Sequence, residues 1–144
     1  MRSLILTLLL ISSYAANGCQ CFDDPIEEKV SKSDYIYLGM NVKASLKDNG
    51  VVENILKPIE VFKGTPDQWL LMSKGGPVKM CAAIAAVGLR YMVYGRIGEP
   101  PKLSLCSYSY HFDTSNESAL LEIRETVNKQ RNTDSGADAP PPVR

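Results

Sequence analysis

Four cysteines and one histidine are the side chains of this chain best suited to metal ligation, nucleophilic attack or covalent cross-linking: Cys19, Cys21, Cys81, Cys106 and His111. A structural zinc site wants its thiolates in closely spaced pairs, and Cys-x-Cys followed by two remote single cysteines lacks that spacing. Nucleophilic catalysis wants a base within reach, but the lone His111 lies in an aromatic stretch, where a structural role is the ordinary one. The sequence holds no His-Glu-x-x-His, nucleophile elbow or phosphate loop. Gly75-Gly76-Pro77 is not followed by Lys-Ser/Thr and a helix, so it does not suit phosphate. The acidic pairs Asp23-Asp24 and Glu27-Glu28 read as solvated rather than as an acid and its base. The chain is therefore read as a non-enzyme that needs no cofactor.

Cross-linking remains, and the N-terminus favours it. Arg2, an apolar run over residues 4–11 and the small residues at Ala16-Asn17-Gly18 read as a secretory signal peptide over residues 1–18. The apolar run is well short of the ~20 residues that span a bilayer. A lipoprotein lipidated on Cys19 fits less well, because a bulky aliphatic residue is usual three places before such a cysteine. The expected mature chain begins at Cys19 and is secreted, extracellular and soluble. It keeps 126 residues (144 minus 18), enough for one domain with a core of its own. Without Arg2 it carries 15 Lys and Arg (16 minus 1) against 16 Asp and Glu. No basic excess points to nucleic acid or an anionic membrane, and a monomer is expected.

An even number of cysteines in an exported chain reads as disulfides. Cys19 with Cys21 is the least favoured of the three pairings, because a bridge between residues two apart is strained. Each N-terminal cysteine is then expected to reach a distant one. Loops that long are worth ~4 kcal/mol each in the chain-entropy treatment.

Cleavage after Gly18 would also make a disulfide-bonded cysteine the first residue. Its free α-amine and its own carbonyl oxygen form a five-membered chelate that suits a metal held by another protein. An α-amine has a pKa of about 8, so a fair fraction is neutral near pH 7.5. Such a terminus can displace the water from the open position of a catalytic zinc. From the residues alone, simple stapling of the N-terminus is the plainer reading.

The elements that must position these cysteines are mostly strands. Residues 35–42 are rich in β-branched and aromatic side chains, Asp48-Asn49-Gly50 is a hairpin turn, and residues 51–62 form a long strand with an edge or a bulge at Pro58. After a turn at Lys63-Gly64-Thr65-Pro66 come a short buried strand over 69–72, an open loop over 73–77 leading to Cys81, a strand over 89–97, a turn at 98–101 and a strand over 103–107. Residues 19–25 read as extended. The period then changes: Thr114-x-x-Glu117 reads as a capping box, and Ala119, Leu120, Ile123 and Val127 share one face of a helix from about Asn116 to Gln130. The remainder, 132–144, reads as a disordered tail after a domain over 19–131. Five or six short strands and one helix suggest a mainly β fold, an OB-like Greek-key barrel with the helix packed on it. Asn116-Glu117-Ser118 is a candidate N-glycosylation sequon.

Several landmarks follow in order: Cys19-Gln20-Cys21 directly after the signal, Val61-Phe62-Lys63-Gly64, Cys81, Gly88-x-x-Tyr91-x-Val93-x-Gly95, and Leu103-x-Leu105-Cys106-x-Tyr108 before a helix. Over residues 19–130 this set resembles the inhibitory N-terminal domain of the tissue inhibitors of metalloproteinases, a netrin-like module on the OB fold found outside cells and in the extracellular matrix. The resemblance implies the pairings Cys19–Cys81 and Cys21–Cys106. It implies that the Cys19 amine and carbonyl chelate the catalytic zinc of a matrix metalloproteinase-like endopeptidase, with Gln20 entering the specificity pocket. Cys21, Phe22 and Asp23 would continue along the cleft, and Lys79 and Met80 would form the second part of the wedge. Three features depart from the family. Ser31 stands where a third cysteine pair would begin, the chain would be a one-domain member without the family's disulfide-rich C-terminal domain, and Gln20 replaces a small Thr or Ser. A longer amide in a largely apolar pocket costs affinity unless it finds a partner. The alternative from another class is a netrin-like secreted binding module without inhibitory action.

Overall fold

A computed structural model describes residues 19, 21, 23–74 and 81–136, with the backbone alone for 134–136. The expected signal peptide, residues 75–80 and the end of the tail from 137 lie outside the described residues. Strands β1 (Tyr35–Leu46) and β2 (Val51–Lys63) form a long antiparallel hairpin. Its turn is built as Asn49 and Gly50 suggest. Gly50 adopts φ 73°, its N–H donates to the Lys47 carbonyl at 2.9 Å, and the Asn49 Oδ1 accepts from the Val51 N–H at 3.1 Å. The register slips between Leu38/Glu60 and Gly39/Pro58, so both readings of Pro58 hold: it sits at a bulge, on a stretch of β2 that β3 does not reach.

Strand β3 (Leu70–Lys74) pairs with the start of β2, and β4 (Arg90–Gly95) returns to the other side of β1. Strand β5 (Tyr110–Phe112) then pairs with β4, giving the antiparallel order β3-β2-β1-β4-β5. Three consecutive strands with a fourth returning beside the first make a Greek key. The sheet is mainly β as expected, five-stranded and OB-like, but not closed into a barrel.

The expected strand over 103–107 is absent, and the reason is chemical. Pro100 and Pro101 offer no N–H, and the chain touches the β3 edge only through Met72 N–H to the Pro101 carbonyl (2.8 Å) and Leu103 N–H to the Met72 carbonyl (2.7 Å). It then turns at once: Ser107 N–H donates to the Ser104 carbonyl, and the Ser107 hydroxyl accepts from Ser104 N–H. The fifth strand forms instead at Tyr110–Phe112, where the sequence reading places none.

Both faces of β1 are covered. Ile36 and Leu38 join Phe62, Met92, Tyr94, Phe112, Ile123 and Val127 on the helix side, and Tyr35 and Tyr37 join Leu56, Leu71, Tyr91 and Val93 on the other. That explains a near-continuous apolar run in place of clean alternation. A polar trio is buried beside the second core. Asn41 Nδ2 donates to Asn54 Oδ1 (2.9 Å), and Asn54 Nδ2 donates to the Leu71 carbonyl (2.8 Å) and to Ser73 Oγ (3.0 Å).

Two helices cover the first core. Helix α1 (Ile26–Ser31) falls in the stretch after Pro25, where no helix is expected. Its signals are Pro25 at the N-cap, Glu27 and Glu28 in the first turn, Lys29 in the last, and Ile26 and Val30 four apart facing the core. Helix α2 (Glu117–Gly136) buries Ile123 and Val127 and half-buries Ala119 and Leu120, the face expected of it. Its start differs: Asp113, not Thr114, is the cap. The Asp113 carboxylate accepts from Ser115 N–H, and Asn116 Oδ1 accepts from Asp113 N–H, capping a 3-10 turn over Thr114–Asn116. At its other end the helix continues past Gln130 to Gly136, into the stretch expected to be tail. Arg124 forks onto Glu60 of β2 with two bonds of 2.8 Å and lies over the Phe62 ring.

Gly64 follows β2 with φ 51°, and a Cβ there would sit 2.2 Å from the Asp34 carbonyl oxygen. Gly64→Ala therefore combines a left-handed backbone with a backbone clash, and a loss of about 3 kcal/mol is expected by denaturant unfolding.

Candidate functional site: the disulfide-pinned N-terminal segment

Two disulfides fasten the start of the described chain to distant loops. Cys19 bonds to Cys81 with Cα atoms 5.5 Å apart, and Cys21 bonds to Cys106 with Cα atoms 5.0 Å apart. The four cysteines leave no free thiol. Of the two pairings that the residues alone leave open, this is the one the resemblance implies.

The two receiving loops are themselves zipped together. Leu105 N–H donates to the Cys81 carbonyl at 3.1 Å, and Ala82 forms an antiparallel bridge with Ser104. The sulfur atoms that receive Cys19 and Cys21 are thus carried on one short piece of paired backbone, and the two N-terminal cysteines follow it. Cys81 is the one non-glycine residue with positive φ (75°) among the described residues. A left-handed backbone at a residue with a Cβ costs about 1–2 kcal/mol, which the surrounding links must offset.

Cys21 and Cys106 are exposed, while Cys19 and Cys81 are half-buried. Leu105, adjacent to Cys106, and Ile84, three residues after Cys81, expose large apolar side chains, at 64 % and 56 %. A groove of 580 Å³ beside Cys81 is lined by Met72, Ala82, Leu103 and Ser104 among others.

The acidic residues after Cys21 are not simply solvated. Asp23 remains 92 % exposed but accepts a 2.6 Å bond from Lys29. Asp24 is half-buried and accepts from the Tyr108 hydroxyl and, at 3.2 Å, from Lys32. The Tyr108 hydroxyl, and next Lys32, hold the Asp24 carboxyl below the ordinary carboxylate range. Lys32 also bonds Glu28 at 2.5 Å, one turn earlier in sequence. The sequence reading missed this group. The available signal was Cys106-x-Tyr108, which sets a phenol two residues from a bridged cysteine.

Of the other expected site residues, Gln20, Phe22, Lys79 and Met80 lie outside the described residues. Ser31 ends α1, with its hydroxyl donating to the Glu28 carbonyl. Asn116 is half-buried, and its Oδ1 is engaged in the cap described above. His111 lies on β5 with its ring edge-on to Tyr91 at 5.7 Å. Among the described residues no group of three or more His, Cys, Asp or Glu is arranged to hold a metal ion, and no helix is long and apolar enough to cross a membrane.

A pH dependence follows from the carboxylates. Asp24 and Asp113 both titrate lower in the folded chain, Asp24 through Tyr108 and Asp113 through Ser115. Their contribution is fully present above the unfolded carboxylate value of about 3.9 and is lost as pH falls through the lower folded values. Stability from this source is expected to be level above about pH 5 and to drop below about pH 4. Asp24→Asn should flatten that drop, as read by urea unfolding across pH.

No protein-family model matches the chain and no curated protein matches it, so the functional reading rests on this geometry and on the residues themselves.

Proposed function

We propose that this chain, cut to begin at Cys19, is a secreted inhibitor of zinc metalloendopeptidases that acts through its N-terminal segment. The observation that carries the reading is the double pinning of Cys19 and Cys21, two alternate residues fastened to one zipped pair of loops. A segment held this way loses little conformational entropy on docking. With cleavage after Gly18, the Cys19 amine and carbonyl oxygen are presented as a ready bidentate ligand for a zinc ion in the partner. About neutral pH a useful fraction of that amine is unprotonated. The two donors take the position a catalytic zinc leaves for water, and hydrolysis stops because the nucleophile has been displaced.

On this reading Gln20 enters the pocket beside the zinc, and Cys21, Phe22 and Asp23 follow the cleft. Lys79 and Met80, next to Cys81, make the second contact. The exposed Leu105 and Ile84 add apolar surface around the same cysteines. The inhibitor acts as a monomer against matrix metalloproteinase-like targets and needs no cofactor. Asn116 is proposed as a glycan acceptor: its carbonyl oxygen is occupied by the cap, which leaves the amide nitrogen as the attachment point.

The test is inhibition of a panel of zinc endopeptidases by chain with a verified Cys19 N-terminus, alongside a form extended by one glycine. The native form is expected to inhibit. The extended form should be weaker by at least about a hundredfold, or about 2.7 kcal/mol, with unchanged thermal unfolding. Gln20→Gly is also expected to weaken inhibition without unfolding the domain. Equal inhibition by the extended form would sink the chelation mechanism. Inhibition by neither form would favour a netrin-like binding module.

A further inference from the structure

Two disulfides fix two points of a short segment, but two points leave one rotation free. The segment can still swing about the line that joins its two anchors, and each disulfide is itself a chain of rotatable single bonds. A third anchor off that line removes the swing. Asp23 bonds Lys29 at 2.6 Å but its side chain stays 92 % exposed, so the firmer third anchor is its half-buried neighbour Asp24. Asp24, three residues after Cys21, accepts from the hydroxyl of Tyr108, two residues after Cys106. The disulfide and the hydrogen bond therefore close a small ring: Cys21 to Cys106 by covalent bond, along the chain to Tyr108, across to Asp24, and back along the chain to Cys21.

The far side of that ring is rigid. The Tyr108 ring packs edge-on to Tyr94, with centroids 6.3 Å apart, and lies against the core cluster of Phe62, Met92 and Phe112. Lys32, just past α1, reaches the same Asp24 Oδ2 and also the Tyr108 hydroxyl, at 3.3 Å. The Arg96 Nε in turn donates to the Lys32 carbonyl at 3.0 Å, fixing the chain from which Lys32 extends. Asp24 is thus gripped from two elements, neither of which is the segment it belongs to.

We propose that Asp24, held by Tyr108 and Lys32, is a positioning residue that fixes the direction in which the chain runs back from Asp24 through Cys21 to Cys19. It touches no zinc and no substrate. Its effect is to set where the first residue points, and this rests on the inhibitor reading above for its functional consequence. A terminus that swings must be stilled on docking, and that cost appears as lost affinity.

Tyr108→Phe removes one oxygen and keeps the ring, so the fold should survive it. Asp24→Ala removes both bonds, and Asp24→Asn keeps an acceptor for the phenol while discarding the charge. Two readouts are taken on each variant of the chain beginning at Cys19: ¹⁵N relaxation at the amides of Cys21 and Asp23, and inhibition of the protease most sensitive to the native chain. Tyr108→Phe and Asp24→Ala should raise fast motion at both amides and weaken inhibition about tenfold, with Asp24→Asn closer to native. The double variant Asp24→Ala with Tyr108→Phe should be no worse than Asp24→Ala alone, because the bond that Tyr108→Phe removes is already lost with Asp24. Unchanged relaxation in both single variants overturns the proposal whatever inhibition does. Looser amides with undiminished inhibition also overturn it. If the native chain inhibits no protease, looser amides still establish the anchoring, and it is the inhibitor reading that falls.

Discussion

Two covalent bonds join a stretch of three residues to positions 62 and 85 residues further along the chain. Everything notable about the N-terminal segment depends on that constraint. A segment outside the sheet has no ladder to hold it, and residues 23–25 form no regular element before α1 begins. The covalent links give it a fixed place while leaving Cys21 and Asp23 exposed and Cys19 half-buried. The same links close long loops in the unfolded chain and so raise the stability of a small domain, where apolar burial alone is a thin margin.

The receiving side of those links is set by the sheet. Strand β1 is covered on both faces, and β2 and β4 flank it with tyrosines and aliphatics on alternate sides. From that scaffold the two loops carrying Cys81 and Cys106 meet at the Leu105–Cys81 and Ala82–Ser104 contacts. The sheet edge at β3 supplies the neighbouring contact through Met72. Rigidity passes from the double-faced core to β3, from β3 to the paired loops, and from the loops to the terminus.

Much of this was legible in the residues. The hairpin turn at Asn49-Gly50, the irregularity at Pro58 and the apolar face of α2 each follow from local stereochemistry or periodicity, which act within a few residues. The remaining features depend on contacts that no local pattern encodes. A strand over 103–107 has suitable side chains, but the prolines before it and the Ser104–Ser107 turn within it deny it a partner ladder. Helix α1 is six residues long, too short for a hydrophobic period to announce itself. The cap moved to Asp113 because a carboxylate accepts from two donors on Ser115, and both Asp113 and Thr114 are acceptable capping types. Asp24 read as solvated because its partner Tyr108 is 84 residues away.

The buried trio of Asn41, Asn54 and Ser73 has a consequence for how the chain finds its fold. Asn41 stands on β1, Asn54 on β2 and Ser73 on β3, so the amides meet only when all three strands are in step. A slip of one residue sends each side chain to the opposite face. Misplaced amides in either core would lack partners, at about 1–3 kcal/mol for each unsatisfied group. An aliphatic pair at the same positions would tolerate such a slip far better. Polar groups in an otherwise apolar interior therefore penalise misaligned versions of the meander more heavily than the aligned one, in which Asn41 Oδ1 alone of the trio's amide atoms lacks a hydrogen-bond partner.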